Sequence, residues 1–383
     1  MTRIELFTLL SIMSLILFAC NPVTVTLPAA TAPLTAVPEA TPTSLVAATQ
    51  GLALFPLSEH GQYFTGKRLF TLYDASRDNR KVEISVWYPA IRPEGNTGNM
   101  WVNAVPKPAD KPYPVILMSA RSGGQFAQHL TSYGFIVVGI LSQFPAEHWG
   151  QWLIDYPLDF VFVLNQLASN PPEELAGLMD TNHAGAMGYS FDGYNSLALS
   201  GARIDPEFYH AQCSQAALMD PMPAAWWIDY ICNLDGGWDA FISNAGRSIT
   251  TSRDGLWQPI TDERIRAVMP MAPEGAWLFG ERGLAAVDRP TLIIAATNDQ
   301  LNYYDLEAST IFQHLGTPDC KMISFINKDH YMIGNDIQIA WMSHFATAFF
   351  GYYLQGNQDD LYYFSKDFIA LNPDLAWGVY ARK

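Results

Sequence analysis

The sequence predicts an α/β protein built on a mostly parallel β-sheet with helices on both faces. Short apolar runs alternate with helical stretches along most of the chain, and no internal repeat is visible. This alternation is typical of strand–helix–strand units that form a covered parallel sheet. Hydrophobic residues make up 49% of the 383 residues and charged residues 15%, a composition that excludes a disordered or fibrous protein. We expect one α/β domain over residues 51–383.

The elements of this domain follow in a regular order. Strands are predicted at 81–90, 113–120, 135–143, 183–190, 264–273, 289–299 and 320–330. Helices are predicted at 124–134, 155–170, 191–202 and 335–356. The helix at 155–170 is expected to open at Pro157 and to end before Pro171, because proline favours a first turn and interrupts a helix interior. Residues 204–262 lack a clean period and are predicted to be an insertion over one end of the sheet.

Composition also excludes some classes of partner. The formal charge is −15 at pH 7 and no cluster of Lys and Arg is present, which argues against nucleic-acid binding. The 11 Trp, 18 Tyr and 21 Phe suit a carbon-rich ligand pocket, although core packing accounts for most of them. No protein partner is implied by the sequence.

The first 50 residues are predicted to lie outside the domain. Residues 1–20 combine a basic residue, a short apolar run and Cys20. This pattern resembles a bacterial lipoprotein signal, in which Cys20 is lipidated and becomes the mature N-terminus. An uncleaved anchor and ordinary secretion are the alternatives. Residues 21–50 are rich in Pro, Thr and Ala, and are predicted to be an extended, disordered tether to the membrane.

Three further cysteines need an assignment. Cys213 and Cys232 lie in one segment and could form a disulfide in an oxidising compartment, although spacing alone does not establish the bond. Cys320 lies at the start of the strand predicted at 320–330 and is expected to be a buried free thiol. No Cys/His spacing indicates a zinc site.

The segment GAMGYSFDG at 185–193 carries the candidate nucleophile, Ser190. A serine hydroxyl needs a neighbouring base, and its side chain must be held toward solvent. A tight strand-to-helix turn, with Gly188 two residues before Ser190, would hold the serine side chain toward solvent. The alternative is that Ser190 only caps the following helix.

Two later strands end in candidate partners for Ser190. The segment at 289–299 ends in Asp299 and the segment at 320–330 ends in His330, each just beyond the apolar run of its strand. The chain order Ser, Asp, His, with each residue after a strand, is typical of a nucleophile–acid–base triad on a parallel sheet. His330 would then be the general base, and Asp299 would orient its ring. A solvated loop position is the alternative for His330.

Other carboxylates compete with Asp299 for the role of the acid. Asp220 is the main rival, because it would follow an earlier strand if AALM at 216–219 formed one. However, the strand at 264–273 is the better candidate for that earlier strand, which leaves Asp220 in the insertion. Asp305 and Asp329 are expected to be solvated or capping residues.

Stabilising an oxyanion requires two backbone N–H groups aimed at the developing charge. The N–H of Phe191, directly after Ser190, is the first candidate. The second is expected in the loop after the strand at 113–120, which reads Ser-Ala-Arg-Ser-Gly-Gly at 119–124.

Five segments together resemble an α/β-hydrolase: YPVILMS…GG, DYPLDFVFVLNQL, GAMGYSFDG, GLAAVDRPTLIIAATND and DHYM. The chain is most similar to the dienelactone-hydrolase-like and platelet-activating-factor-acetylhydrolase-like branch, over about 80–380 apart from the insertion. Members of this branch are serine esterases or lipases without metal or organic cofactor. The resemblance implies Ser190 as nucleophile, Asp299 as acid and His330 as base. It also implies the N–H of Ser122 as the second oxyanion donor.

Two residues depart from the family pattern. The family usually has His-Gly where this chain has Ala120 and Arg121. The Arg121 guanidinium could bind an anionic group of the substrate, or it could be directed to solvent or paired with a nearby carboxylate. Asp192 replaces a small residue in the first turn of the helix, where the helix dipole favours a carboxylate. We expect Asp192 to hydrogen-bond into the neighbouring strand, with Gly193 relieving the crowding.

The insertion at 204–262 follows the helix after Ser190, where such folds often carry a lid. Trp226 and Trp227 could wall an apolar substrate pocket, or the segment could be a self-packed subdomain without ligand contact. His129 and His148 lie near predicted strand ends and are expected to be structural.

The sequence therefore predicts an extracytoplasmic, lipid-anchored serine esterase that acts on a small-molecule ester or lipid. Two alternatives remain open. One is a catalytically silent lipoprotein that binds a ligand on a hydrolase scaffold, and the other is an amidase or peptidase of the same fold.

Overall fold

The computed structural model describes residues 54–141, 149–219 and 222–381. They form an α/β domain on one ten-stranded sheet with the strand order β10-β9-β8-β7-β6-β4-β5-β2-β1-β3. The strands are β1 (Phe64–Asp74), β2 (Arg80–Ala90), β3 (Met100–Val102), β4 (Tyr113–Ser119), β5 (Ile136–Leu141), β6 (Met179–Tyr189), β7 (Ile265–Met271), β8 (Thr291–Ala296), β9 (Cys320–Phe325) and β10 (Leu375–Trp377).

The centre of the sheet is parallel and its margins are mixed. Strands β5, β4, β6, β7, β8 and β9 pair in parallel with one another in this order. β2 is antiparallel to β5 and to β1, and β10 is antiparallel to β9. The predicted α/β class with a mostly parallel sheet is confirmed.

Helices cover both faces of the sheet. The α-helices of the described residues are α1 (Gly124–Ser132), α2 (Trp149–Ser169), α3 (Phe191–Leu199), α4 (Pro206–Gln215), α5 (Ala225–Ile231), α6 (Trp238–Ala245), α7 (Arg247–Thr250), α8 (Ala276–Leu284), α9 (Ala308–His314), α10 (Asp336–Phe350) and α11 (Lys366–Ile369). Helices α1 and α10 pack on one face, and α2, α3, α8 and α9 pack on the other.

Strand β4 illustrates why the central strands read as continuous apolar runs. Ile116 and Met118 lie in the core that α1 and α10 cover, whereas Val115 and Leu117 lie in the core that α2 covers. Successive side chains of a strand point to opposite faces, so both sets must be apolar when both faces are buried.

The helix predicted at 155–170 starts earlier than expected. Helix α2 spans Trp149–Ser169, so Pro157 lies inside it rather than at its first turn. A proline cannot donate to the carbonyl four residues before it, here that of Leu153. The hydroxyl of Tyr194 in α3 donates to this carbonyl at 2.8 Å, and this bond compensates for the missing one.

The insertion is a small helical unit comprising α4 to α7. Cys213 and Cys232 form a disulfide that joins the end of α4 to the end of α5. Trp238 stacks on Tyr209 and contacts Trp257, and these rings belong to the same hydrophobic core as residues of α2, α3 and α8. The disulfide that spacing left open is therefore present. Cys320 is a free thiol, but it is partly exposed rather than buried because it begins β9 at the end of the sheet.

Some predictions fall outside the described residues. These are the signal at 1–20 with Cys20, the tether at 21–50, and the side chains of His148 and Asp220. Within 54–141, 149–219 and 222–381, no helix has both the length and the apolar character needed to cross a membrane.

Candidate active site

Three predicted site residues meet at the carboxyl edge of the parallel strands. Ser190 follows β6, Asp299 lies three residues beyond the end of β8, and His330 lies five residues beyond the end of β9. In open α/β sheets, ligands bind at this edge. The fold therefore brings together residues that lie up to 140 positions apart in the chain.

The backbone at Ser190 is strained in the manner of a nucleophile turn. Ser190 has φ 59° and ψ −124°, a conformation that costs energy for any residue with a Cβ. A Cβ on Gly188 would lie 1.9 Å from the backbone oxygen of Asp192, so only glycine fits there. A Cβ on Gly193 would lie 2.8 Å from the Cα of Pro273. The Ser190 side chain makes no helix-capping hydrogen bond, contrary to the alternative of a simple cap.

A chain of hydrogen bonds joins the three side chains. His330 Nε2 lies 2.9 Å from Ser190 Oγ, and His330 Nδ1 lies 2.8 Å from Asp299 Oδ2. An ionised carboxylate can only accept, so Nδ1 carries the proton and Nε2 is left to accept from the serine hydroxyl. This is the tautomer that a general base next to a serine requires.

Both partners of Ser190 are buried and held from several sides. Asp299 is 4% exposed, and its Oδ1 accepts hydrogen bonds from the N–H groups of Leu301 at 2.9 Å and Asn302 at 2.7 Å. His330 is 6% exposed, and its carbonyl accepts from the hydroxyl of Tyr189. These contacts fix the acid and the imidazole relative to the strand that carries Ser190.

The other candidate acids and histidines lie elsewhere. Asp329 accepts from the N–H of Tyr331 at 2.9 Å as a helix cap, and Asp305 is exposed. His129 bonds through Nε2 to the carbonyl of Leu57 at 2.9 Å, and burial lowers its pKa to about 4. All three match their predicted structural roles.

The two predicted oxyanion donors belong to neighbouring segments. Phe191 is the first residue of α3, so its N–H lies at the helix N-terminus, where intrahelical partners are missing. Ser122 is buried at the end of a short 3₁₀ turn after β4. Gly123 follows at φ 100°, a conformation that glycine adopts readily. The hydroxyl of Ser122 donates to Asp192 Oδ2 at 3.3 Å, which places the loop against the first turn of α3.

The two departures from the family pattern contact each other. Arg121 Nη2 donates to Asp192 Oδ1 at 2.8 Å, so the guanidinium is paired with a carboxylate. The expectation that Asp192 bonds into the neighbouring strand is wrong, because its partners belong to the loop beyond β4 and to α3 itself. The loop passes close enough over α3 to supply these donors.

The two tryptophans of the predicted pocket have different surroundings. Trp227 is 1% exposed and packs edge-on against Trp277 and Tyr303, so it is a core residue. Trp226 precedes it in the same helix and is 37% exposed. The ring of Trp227 is therefore enclosed by the hydrophobic core, whereas that of Trp226 is accessible.

Three further polar residues were not identified from the sequence, namely Asn302, which contacts Ser190, and the buried glutamates Glu274 and Glu307. The amide nitrogen of Asn302 donates to the carbonyl of Ala272 at 2.8 Å and lies 3.5 Å from Ser190 Oγ. Glu274 follows β7 and is 5% exposed, and Glu307 is fully buried. The position of Glu274 after a strand is the one signal in the sequence that could have identified it.

The two glutamates form a buried acidic pair. Burial raises the pKa of Glu274 to about 7, and burial together with Glu274 raises that of Glu307 to about 8. The hydroxyl of Tyr230 donates to Glu274 Oε1 at 2.9 Å, which links the insertion to the loop after β7. Glu307 Oε2 accepts from the N–H groups of Gly275 and Ala276, both at 2.8 Å.

Among the residues that the structure describes, no group of His, Cys, Asp and Glu side chains could hold a metal ion. No protein-family model and no curated protein matches the chain.

Proposed function

We propose that this protein is a serine hydrolase of the α/β-hydrolase fold that cleaves carboxylic esters through an acyl-enzyme on Ser190. The observation that carries the proposal is the hydrogen-bonded chain from Ser190 through His330 to Asp299. The strained backbone at Ser190 supports it, because strain of this kind persists where function requires it.

The proposed reaction proceeds in two halves. His330 Nε2 takes the hydroxyl proton while Ser190 Oγ attacks the ester carbonyl, and the N–H groups of Ser122 and Phe191 stabilise the oxyanion. His330 then gives the proton to the leaving alcohol. Water, activated by the same imidazole, releases the acyl group in the second half. Asp299 holds the imidazole in the required tautomer throughout.

The order of the elements supports the fold assignment. The nucleophile, the acid and the base follow β6, β8 and β9, the order typical of α/β-hydrolases. The insertion between α3 and β7 occupies the position of a lid in this proposal. Its bond from Tyr230 to Glu274 connects it to a loop at the site edge.

The proposed location is the extracytoplasmic side of a bacterial membrane, with Cys20 as the lipid attachment. The disulfide between Cys213 and Cys232 supports this location, because disulfides persist in oxidising compartments. The proposed substrate is a small-molecule ester or lipid.

Hydrolysis of short-chain p-nitrophenyl esters tests the proposed activity. We expect Ser190→Ala to lower kcat by at least about 10⁴-fold, since the nucleophile of a triad is lost. Ser169→Ala, at an exposed serine in the last turn of α2, is the matched control and should retain the wild-type rate. Equal rates for wild type and Ser190→Ala would refute the proposal. Hydrolysis of amides but not of esters would redirect it to an amidase.

A further inference from the structure

We propose that Arg121 and Asp192 are positioning residues that hold the loop after β4 against the first turn of α3. This pair would thereby set the distance between the two oxyanion donors, the N–H groups of Ser122 and Phe191. The inference rests on the proposed function, because the donors matter only if an oxyanion forms. It assigns a role to the two residues that depart from the family pattern.

The buried carboxylate of Asp192 accepts the hydrogen bonds that form this contact. Its side chain is 5% exposed, and its carboxylate accepts from three donors. Arg121 Nη2 and Asn195 Nδ2 donate to Oδ1 at 2.8 and 3.2 Å, and Ser122 Oγ donates to Oδ2 at 3.3 Å. Two of the three donors belong to the loop after β4. A buried carboxylate with several donors confines them strongly, because each lost bond leaves charge unsolvated.

Arg121 extends the contact to a third element. Its guanidinium lies 5.5–5.6 Å from the ring centroids of Trp152, Tyr156 and Phe191, within the range of cation–π attraction. Trp152 and Tyr156 belong to α2, and Phe191 belongs to α3. The guanidinium therefore bridges α2, α3 and the loop that carries Ser122.

The base of the loop is fixed by a separate chain of bonds. The N–H of Arg121 donates to Ser119 Oγ at 3.2 Å, and Ser119 Oγ lies 2.9 Å from the hydroxyl of Tyr156. That hydroxyl donates to the carbonyl of Ile140 at 3.1 Å. The loop is thus held at its start by β5 and α2, and at its far end by Asp192.

This geometry links the pair to the rate of the chemical step. An oxyanion donor contributes about 10²–10³ in kcat, and its contribution depends on its position within a fraction of an ångström. Ser122 directly follows Arg121, and Phe191 directly precedes Asp192. A contact between Arg121 and Asp192 therefore sets the spacing of both donors through one covalent neighbour on each side.

The test uses Arg121→Met, Asp192→Asn and the double variant, with kcat and KM expressed per folded molecule. We expect each single variant to lower kcat by about 10–100-fold, with KM within about threefold of wild type. The double variant should fall no further than the worse single variant, because one contact is removed in all three. Arg121→Lys keeps the charge but loses the planar fork, and should give an intermediate kcat.

A second ion pair provides the matched control. Arg282 and Asp205 lie 2.8 Å apart, with side chains 48% and 1% exposed, close to the 45% and 5% of Arg121 and Asp192. Arg282→Met and Asp205→Asn should lower the melting temperature and leave kcat per folded molecule unchanged. An equal loss of kcat in both pairs would mean that the Arg121 contact acts through general stability, and would overturn the inference.

Two substrates separate positioning from recognition. One is a neutral p-nitrophenyl ester, and the other is a p-nitrophenyl ester whose acyl chain ends in a carboxylate. A loss in kcat on both esters supports the inference. A rise in KM confined to the anionic ester would assign Arg121 to substrate binding and overturn it.

Two further outcomes also decide whether the positioning role is correct. If either neutralised variant fails to fold, wild-type kcat in Arg121→Lys overturns the inference, and a lowered kcat supports it. Wild-type protein that neither hydrolyses esters nor reacts with a fluorophosphonate refutes the proposed function as well. Active wild type with unaffected variants refutes the positioning role alone.

Discussion

The loops after β7 and β8 each bring a buried carboxylate to the edge of the sheet near Ser190, but they surround it differently. Asp299 in the β8 loop accepts from two backbone N–H groups and from His330. Glu274 in the β7 loop accepts from the Tyr230 hydroxyl and lines a small, mostly apolar cavity with Leu153 and Ile231.

The difference lies in the hydrogen-bond donors around the two carboxylates, and it is the reason that Asp299, rather than Glu274, is the proposed acid of the triad. Asp299 accepts from three donors, one of which is the imidazole that it would orient in the proposed mechanism. Glu274 has an environment that raises its pKa to about 7, so at neutral pH its carboxyl group is protonated in part of the molecules. Both carboxylates follow a strand, so the hydrogen-bond donors around each carboxylate are what distinguish them.

The largest expected effect separates the two acids directly. Asp299→Asn should lower kcat by about 10³–10⁴-fold, because an amide can donate to His330 Nδ1 and favour the wrong tautomer. Glu274→Gln should change kcat by less than about threefold, since it preserves the acceptor for Tyr230. Steady-state hydrolysis of a p-nitrophenyl ester measures both. A comparable loss in the two variants would place Glu274 in the catalytic machinery.

A smaller effect concerns the pH dependence of stability. Glu307 has a native pKa raised to about 8, so the native state binds its proton more tightly than the unfolded chain does. Its contribution to the free energy of unfolding therefore falls as pH rises from about 4.5 to 8, by at most about 1.4 kcal/mol per pH unit. Glu307→Gln removes this contribution, so the variant should gain stability relative to wild type between pH 5 and pH 8.5.

Urea unfolding at the two pH values measures this change. Glu94→Gln, at an exposed glutamate, is the control and should follow the wild-type curve at both. A Glu307→Gln variant whose stability relative to wild type does not change with pH would contradict the raised pKa.

The smallest expected effect tests the link between the insertion and the β7 loop. Tyr230→Phe removes a donor to the buried Glu274 carboxylate, and should lower the free energy of unfolding by about 1–3 kcal/mol. It should also raise the pKa of Glu274 further, because the hydroxyl stabilises the charged form. Thermal unfolding of Tyr230→Phe and of Tyr362→Phe, at an exposed tyrosine, measures the difference. Equal melting temperatures would show that the link is dispensable.

The central sheet could be predicted from the sequence because its strands are buried on both faces. β4 and β8 read as unbroken apolar runs between turns, and their predicted positions are confirmed. β1 was not predicted from the sequence, because apolar and polar residues do not alternate along it. Two of its apolar residues, Leu69 and Tyr73, are exposed. β3 and β10 have three residues each, too few for any period.

Some residues of the candidate site could likewise be predicted from the sequence, and others could not. Ser190, Asp299 and His330 could be predicted because each follows a strand in a chain order with known chemical meaning. The contact between Arg121 and Asp192 could not, since the two residues are 71 positions apart and only the fold brings them together. The predicted start of α2 was wrong, because the Leu153 carbonyl that Pro157 leaves without a partner accepts from the hydroxyl of Tyr194 in another helix. The sequence around Pro157 does not indicate that a residue distant in the chain supplies this hydrogen bond.

The most direct test of the central claim is covalent labelling of the wild-type protein with a fluorophosphonate, followed by mass mapping of the modified residue. We expect one phosphonylated serine, Ser190, because its Oγ lies 2.9 Å from His330 Nε2. His330→Ala should react far more slowly, since the base is lost. A folded protein that is not labelled, or that is labelled at another serine, would show that Ser190 is not an activated nucleophile.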